Sequence, residues 1–464
     1  MTDLPDGWST AALAAITSKI GSGATPTGGK TTYKTSGVPL IRSMNVHFSG
    51  FTNEGLAYID EKQAKKLDSV TVRPGDVLLN ITGASIGRVT TAPSNMNGAR
   101  VNQHVAIIRL VEGIESKFVA GLLGSPSMQR IIAEENYGVT RQALTKSMIE
   151  EFRVPVPPLA EQQRIIAKID SLFAKSKRAR DQLDHIPRLV EKYKQAILAA
   201  AFQGSLTLEW RMHVGIGADQ TKFEDDLPRE LNGQSLPSSW TIKFIPDAAS
   251  NHDGKRIPVR ASDRALRRGE FPYYGASGVI DTIDDYLFDG DFLLIGEDGA
   301  NLISRSTPIA FLASGRFWVN NHAHVLQAGP DTSNAWLCHY VNMIDLIPFV
   351  TGTAQPKLTQ AALNRIAVPL PSIREQQEIL HRIGTAFAWI DCLATEATSA
   401  RKLIDHLDQA VLAKAFRGEL VPQDPNDEPA SALLERIRLG RQMSSKQPVV
   451  RETKLKHKRP RAKH

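Results

Sequence analysis

Val154-Pro155-Val156-Pro157-Pro158-Leu159-Ala160-Glu161-Gln162-Gln163 recurs 214 positions on as Val368-Pro369-Leu370-Pro371-Ser372-Ile373-Arg374-Glu375-Gln376-Gln377. Downstream, Ala196-Ile197-Leu198-Ala199-Ala200-Ala201-Phe202-Gln203-Gly204-Ser205-Leu206 recurs at the same distance as Ala410-Val411-Leu412-Ala413-Lys414-Ala415-Phe416-Arg417-Gly418-Glu419-Leu420. The stretch between the two signatures has therefore kept its length in both copies. Loops tolerate insertions, so a fixed length points to a rigid element. Upstream the register loosens: Leu144-Thr145 matches Leu358-Thr359 at 214, Gly75-Asp76-Val77-Leu78-Leu79 resembles Gly290-Asp291-Phe292-Leu293-Leu294 at 215, Val101-Asn102-Gln103-His104 resembles Val319-Asn320-Asn321-His322 at 218, and Leu4-Pro5 to Trp8 resembles Leu236-Pro237 to Trp240 at 232. The chain thus reads as variable domain, fixed segment, variable domain, fixed segment.

The fixed segments carry a helical seam. Ile165, Ile169, Leu172, Ser176, Ala179, Leu183, Ile186, Val190, Tyr193, Ile197 and Ala200 alternate steps of four and three, and so do Ile379, Ile383, Ala386, Ile390, Leu393, Ala397, Ala400, Ile404, Leu407 and Val411. That period of about 3.5 predicts a coiled coil, and two helices of matched length separated by a domain most simply pack antiparallel. Pro157 and Pro158 mark a helix start, Gly204 and Gly418 the stops, and Pro187 a kink or restart near Ile186. Glu161-Gln162-Gln163 and Glu375-Gln376-Gln377 fall in the first turns, where Glu favours the helix dipole; they are expected to be structural or partner-binding rather than catalytic.

The 464 residues allow two to four domains, and 42% hydrophobic with 23% charged residues is ordinary for a globular protein. A net charge of +7 nudges the reading toward a polyanionic partner. Cys338 and Cys392 fit no metal spacing. No secretion signal and no membrane-spanning run is visible, so the chain is expected to be cytoplasmic.

The variable segments, 1–153 and 236–367, hold short strand-like runs such as Val77-Leu78-Leu79-Asn80 and Phe292-Leu293-Leu294-Ile295 between Gly, Ser and Asn turns. They predict two α+β domains, each mostly sheet. Polar loops that follow strands are the candidate DNA-reading residues: Arg42, Ser43, Asn45, Thr82, Ser85, Arg88, Asn102, Gln103, His104, Arg141 and Gln142 in the first copy, and Tyr273, Tyr274, Ser277, Asn301, Arg305, Asn320, Asn321, His322, Thr353, Gln355 and Lys357 in the second. Arg suits guanine, Asn and Gln suit adenine, and Ser or Thr serves either a base or a phosphate.

Catalytic patterns are weak by comparison. Ala24-Thr25-Pro26-Thr27-Gly28-Gly29-Lys30-Thr31 approximates a phosphate loop, but no helix pattern follows it. His322 and His324 lack a third ligand nearby, and Gly83 and Gly87 form no dinucleotide fingerprint. Arg451 to His464 holds seven Lys or Arg and one Glu, a basic tail able to add phosphate contacts.

Two variable domains, each followed by a helix that opens Val-Pro-hydrophobic-Pro-x-x-x-Glu-Gln-Gln and closes Ala-Phe-x-Gly-x-Leu, together with Thr351-Gly352-Thr353-Ala354-Gln355-Pro356-Lys357-Leu358-Thr359 before the second helix, resemble the specificity subunit of type I restriction–modification systems. The first domain departs from that last signature, with Tyr137-Gly138-Val139-Thr140-Arg141-Gln142-Ala143-Leu144. The resemblance implies target-recognition domains at 1–153 and 236–367, spacer helices at 154–206 and 368–420 forming an antiparallel coiled coil, a linker at 207–235 and a basic, partly disordered tail at 421–464. It implies that each recognition domain reads one half of a bipartite, asymmetric target in double-stranded DNA. It also implies two modification (methyltransferase) subunits and restriction (motor endonuclease) subunits as partners, which would bring S-adenosylmethionine, ATP and magnesium; no catalytic residue, metal or cofactor is expected in this chain. Spacer or partner contacts would fall on Glu161, Gln162, Gln163, Ile169, Leu183, Phe202, Glu375, Gln376, Gln377, Ile383, Leu407 and Phe416. A self-contained methyltransferase or nuclease, and a coiled-coil scaffold that does not bind DNA, are the rival readings; the first lacks the motifs, and the second leaves the polar loops unexplained.

Overall fold

The repeat found in the sequence reappears in the order of the strands. A computed structural model describes residues 4–26, 33–135, 143–222, 231, 235–352 and 355–445. Its chain falls into two compact units, Met1–Gln182 with Ala400–His464, and Leu183–Ser399. The long helices are α1 (Leu159–Leu183), α2 (Ile186–Phe202), α3 (Ile373–Ala415) and α4 (Ala430–Ser445).

In the first unit β1 (Thr17–Ser22), β2 (Val77–Asn80), β3 (Val89–Thr91) and β4 (Val105–Leu110) form an antiparallel sheet in the order β1-β4-β2-β3. In the second, β5 (Ala249–Asn251), β6 (Phe292–Gly296), β7 (Ala310–Ala313) and β8 (Ala323–Ala328) form the same antiparallel order, β5-β8-β6-β7. The central strands are mostly apolar because both of their faces are covered. Alternate side chains of a strand point to opposite faces. Val77, Leu79, Ala106 and Ile108 therefore enter the core shared with the helices, while Leu78, Val105 and Ile107 enter a second core. Leu293, Ile295 and Leu326 do the former in the second unit, and Leu294, Ala323 and Val325 the latter.

Each unit draws on both helical segments. In the first, Ile165 and Ile169 of α1 share a core with Val411, Ala415 and Phe416 at the end of α3, and Arg180 pairs with Asp405 and Asp408. In the second, Leu198, Ala201 and Phe202 of α2 share a core with Ile379 and Ile383 at the start of α3, and Lys194 pairs with Asp391 at 2.6 Å. Rising numbers on one helix meet falling numbers on the other, so within each unit the helices run antiparallel. Phe416 meets Phe118 edge-on at 5.3 Å, and Phe202 packs against Trp336 at 4.5 Å.

The helix signals hold. α1 ends at Leu183 and α2 restarts at Ile186 with Pro187 in its first turn. Gly204 and Gly418 lie just past their helices at φ 74° and 76°. A Cβ on Gly204 would lie 2.4 Å from Pro237, and one on Gly418 would lie 2.4 Å from Pro5, so the Leu-Pro repeat packs on both stops.

One expectation needs correction, and two stretches gain detail. Tyr193, Leu393 and Leu407 are exposed, whereas Lys194, Ala394 and Asp408 turn inward. The reason is an extra step of four after Val190 and after Ile390, which offsets the drift of a 3.6-residue helix against a strict 3.5 repeat. The 207–235 stretch holds a short helix, Leu208–His213, whose Arg211 is fully buried. The 421–464 stretch contains α4, whose Leu433 reaches the first unit's core and whose Arg441 guanidinium donates to the Ala14 and Thr17 carbonyls. Residues 446–464 lie outside the described residues, as does most of the phosphate-loop-like stretch.

Candidate nucleic-acid interface

The polar turns of each domain converge where the two central strands of its sheet end. In the first domain Ile81 N–H donates to the His104 carbonyl at 3.0 Å and Leu144 N–H to the Ile81 carbonyl at 2.9 Å, which brings three loops together. Asn80, buried at the end of β2, ties in a fourth: its Nδ2 donates to the Ser43 carbonyl at 2.9 Å and to Ser85 Oγ at 3.2 Å. The second domain repeats the arrangement, with Glu297 N–H on the His322 carbonyl at 2.9 Å, Leu358 N–H on the Glu297 carbonyl at 2.8 Å and Asn320 N–H on the Tyr274 carbonyl at 3.1 Å. Thr351 and Lys357, within the signature before the second helix, exchange two backbone bonds.

One element is shared nearly atom for atom. Between a strand and the central strand that follows it, Asn102 accepts the His104 N–H at 3.0 Å, and Asn320 accepts the His322 N–H at 2.8 Å. Each histidine ring is then held from the neighbouring loop. His104 Nδ1 is hydrogen-bonded to Thr82 Oγ1, and His322 Nδ1 to Asp298 Oδ2 at 2.8 Å. An amide side chain sits exposed between the two fixed residues, Gln103 in one domain and Asn321 in the other.

The second domain adds a charged network behind its loops. His324, buried in β8, is hydrogen-bonded through Nδ1 to Asp253 at 2.6 Å and through Nε2 to the Leu358 carbonyl at 2.8 Å. Glu297 pairs with Arg256 at 2.7 Å and with Lys357 at 3.0 Å. Burial works against both carboxylates. The bonds of Asp253 to His324 and the Val325 N–H, and those of Glu297 to Arg256 and Lys357, outweigh it and hold both below the ordinary carboxyl range.

The candidates therefore divide. Gln103, Ser277, Asn321, His322, Gln355 and Lys357 are exposed, and Ser43, Thr82, Ser85, Arg88 and His104 are half-buried at the same strand ends. Others are built into the scaffold. Asn45, Asn102 and Asn320 are buried and hold turns, and Tyr273 is buried with its hydroxyl on Val259. Arg305, at φ 47°, donates to the Asn342 and Ile344 carbonyls, and burial lowers its pKa. Asn301 Oδ1 accepts from Thr307 N–H, Arg42 donates to the Gly55 carbonyl and lies over Tyr33, and Tyr274 stacks on Phe311 at 5.8 Å. A side chain bonded to its neighbours is less available to read a base than one that is exposed. Arg141, Gln142 and Thr353 lie outside the described residues.

The Glu-Gln-Gln triplets fasten helix to domain. Trp8 Nε1 donates to Glu161 Oε2 at 3.0 Å, and Trp240 Nε1 donates to Glu375 Oε2 at 3.1 Å. Gln162 donates to the Pro157 carbonyl and accepts Glu115 N–H; Gln376 donates to the Pro371 and Asp331 carbonyls. Gln163 and Gln377 stay exposed. The two copies then diverge: Glu375 has a buried partner in Arg211 at 2.6 Å, whereas burial of Glu161 raises its pKa despite the Trp8 bond. The tryptophans were detectable as the weak Leu-Pro…Trp repeat, but Arg211 and Asp253 had no signal of their own.

Among the described residues no helix is long and apolar enough to cross a membrane. Against solved structures, the chain matches one from work on complex assembly and conformational transition of the type I R-M system, at TM-score 0.62 and 19% identity over 90% of this chain and all of that one. It matches the HsdS subunit of Thermoanaerobacter tengcongensis at 0.57 and 19%, over 90% and 98%. Among curated sequences it is 24% identical to the StySPI specificity subunit of Salmonella potsdam and 24% identical to the EcoKI specificity subunit of Escherichia coli K12, each over 97% of this chain and 98% of the relative. A putative specificity subunit of Haemophilus influenzae is 37% identical over 155 residues, 33% of this chain and 38% of that one. The model of the type I restriction modification DNA specificity domain matches twice, at residues 5–187 and 237–396, one match for each strand-and-helix repeat described above, and the chain belongs to that family.

Proposed function

We propose that this chain is the non-catalytic, sequence-specific subunit of a type I restriction–modification complex, and that each sheet domain reads one half of a bipartite, asymmetric site in double-stranded DNA. The observation that carries the reading is the pairing of one topology with two sets of residues. Both sheets have the same strand order and gather polar turns at the same strand ends, yet the residues presented differ, Thr82 and Gln103 against Asp298 and Asn321. Equal frames with unequal side chains suit two half-sites of different sequence.

The helices would set the gap. α3 alone, at 43 residues, is about 64 Å long at 1.5 Å per residue, and a rod of fixed length demands a fixed DNA spacing. They would also recruit two copies of one partner, because the repeat exposes apolar residues at equivalent positions: Leu189 at 47% and Tyr193 at 60% on α2, and Leu403 at 67% and Leu407 at 55% on α3. An exposed apolar patch of this kind marks a protein contact. Modification subunits would bind there and bring S-adenosylmethionine, and restriction subunits would bring ATP and magnesium, all in the cytoplasm. The division into recognition domains 1–153 and 236–367, spacers 154–206 and 368–420, linker 207–235 and tail 421–464 is proposed as the functional one.

The test maps methylated bases in cells that express the chain with its modification subunit, with and without the chain. A split motif with a constant gap, lost on deletion, supports the reading; a methylome unchanged by deletion refutes it.

A further inference from the structure

We propose that Gln103 and Asn321 are the equivalent base-reading residues of the two domains, and that Asn102 with His104, and Asn320 with His322, are the positioning residues that hold them. This rests on the DNA-reading function proposed above and adds which side chain reads.

Most polar side chains at the strand ends are bonded into the scaffold, and these two amides stand out against that background. Each is exposed, and each sits between a buried Asn that accepts a backbone N–H two residues on and a His whose ring is fastened to the adjacent loop. The backbone on both sides of the amide is therefore fixed before any DNA arrives. Reading a base with a pre-ordered side chain avoids part of the entropy cost of immobilising it.

In the first domain the ring also lies against the amide. Gln103 Nε2 lies 3.4 Å from His104 Nε2. The amide offers a donor and an acceptor in one plane, the pair that matches the N6 amino group and N7 of adenine in the major groove. The shorter Asn321 offers the same pair one methylene nearer the backbone. Two halves with an amide at the same place in the frame should each specify an adenine at one position, whatever else differs between their sites.

The experiment selects bound duplexes from a randomised library with the full-length chain, then repeats the selection with Q103A, N321A and H104F. Gln103→Ala should lower discrimination at one base pair of the first half-site by roughly tenfold to a hundredfold and leave the second half-site intact. Asn321→Ala should do the converse. His104→Phe should relax the same base pair as Gln103→Ala, an effect that mere destabilisation, which weakens all sequences alike, would not produce. A uniform loss of affinity across all sequences in Q103A and N321A, or preferences unchanged from the wild type, would overturn the assignment of these residues. A wild-type chain that selects no motif at all would instead overturn the DNA-reading function itself.

Discussion

Replacing Arg211 by methionine tests how α3 is fastened to the second domain. Arg211 and Glu375 are both 1% exposed and 2.6 Å apart; the carboxylate also accepts from Thr207 at 2.8 Å and Trp240 at 3.1 Å. Removing one partner of a buried pair costs about 3–5 kcal/mol, because the remaining charge is stranded. The surviving bonds from Thr207 and Trp240 draw the expectation toward the lower end, near 3 kcal/mol. Methionine fills much of the arginine's volume and also removes its Nε and Nη2, which have no partner among the described residues. For a unit of this size about 3 kcal/mol lowers Tm by roughly 6–12 °C. Urea unfolding followed by tryptophan fluorescence reads it, since Trp240 and Trp336 lie in that core. The double variant R211M/E375Q should recover at least half of the loss, because it leaves no stranded charge. A loss under about 1 kcal/mol in R211M, or a double variant as unstable as the sum of the singles, would refute the reasoning.

The same position in the other copy behaves differently with pH. The folded pKa of Glu161 is raised above its ordinary value of 4.5, so the folded state binds the proton more readily than the unfolded one. Its contribution is fully present below the unfolded value and is lost as pH rises through the folded value; the difference in urea midpoint between wild type and E161Q should therefore grow in favour of the wild type as pH is lowered from 7 toward 4.5. Gly204→Ala should destabilise the second unit by about 2–4 kcal/mol, from the left-handed backbone together with a Cβ 2.4 Å from Pro237, measured as a shifted urea midpoint. Lys357→Ala should weaken binding to all duplexes alike and lower the salt slope by about 1, as titrations at several salt concentrations would show. Tyr193→Lys with Leu407→Lys should abolish co-purification of the modification subunit while leaving the Tm of the chain within about 2 °C.

The repeat made the architecture legible because it was carried by packing. Glu161 and Glu375 keep their spacing to the helix ends because both must meet a tryptophan at one end while a phenylalanine fills a core at the other. The seam was legible only to its middle, since nothing in a list of apolar residues shows where an extra step of four enters, and Lys194 and Asp408 turn inward at the expense of Tyr193 and Leu407. The loops were legible as a region but not residue by residue. Asn102 and Gln103 are adjacent amides of equal polarity, yet one is buried and one is exposed; what separates them is the turn, not the composition. Arg211 and Asp253 find their partners 164 and 71 positions away, distances over which a single sequence holds no signal.

The first unit takes its core from both ends of the chain. Val411, Ala415, Phe416, Ala430 and Leu433 join Trp8, Phe118 and Ile165, whereas the second unit is one continuous stretch, Leu183–Ser399. During synthesis the first domain leaves the ribosome early but must wait for the last helix, on the order of tens of seconds at ordinary elongation rates. The second unit can close meanwhile. The earlier-made half is thus the later-finished one, and until then its unfilled apolar surface is open to chaperones and to aggregation. Truncation near residue 400 should therefore damage the domain at the far end of the sequence, not the one beside the cut.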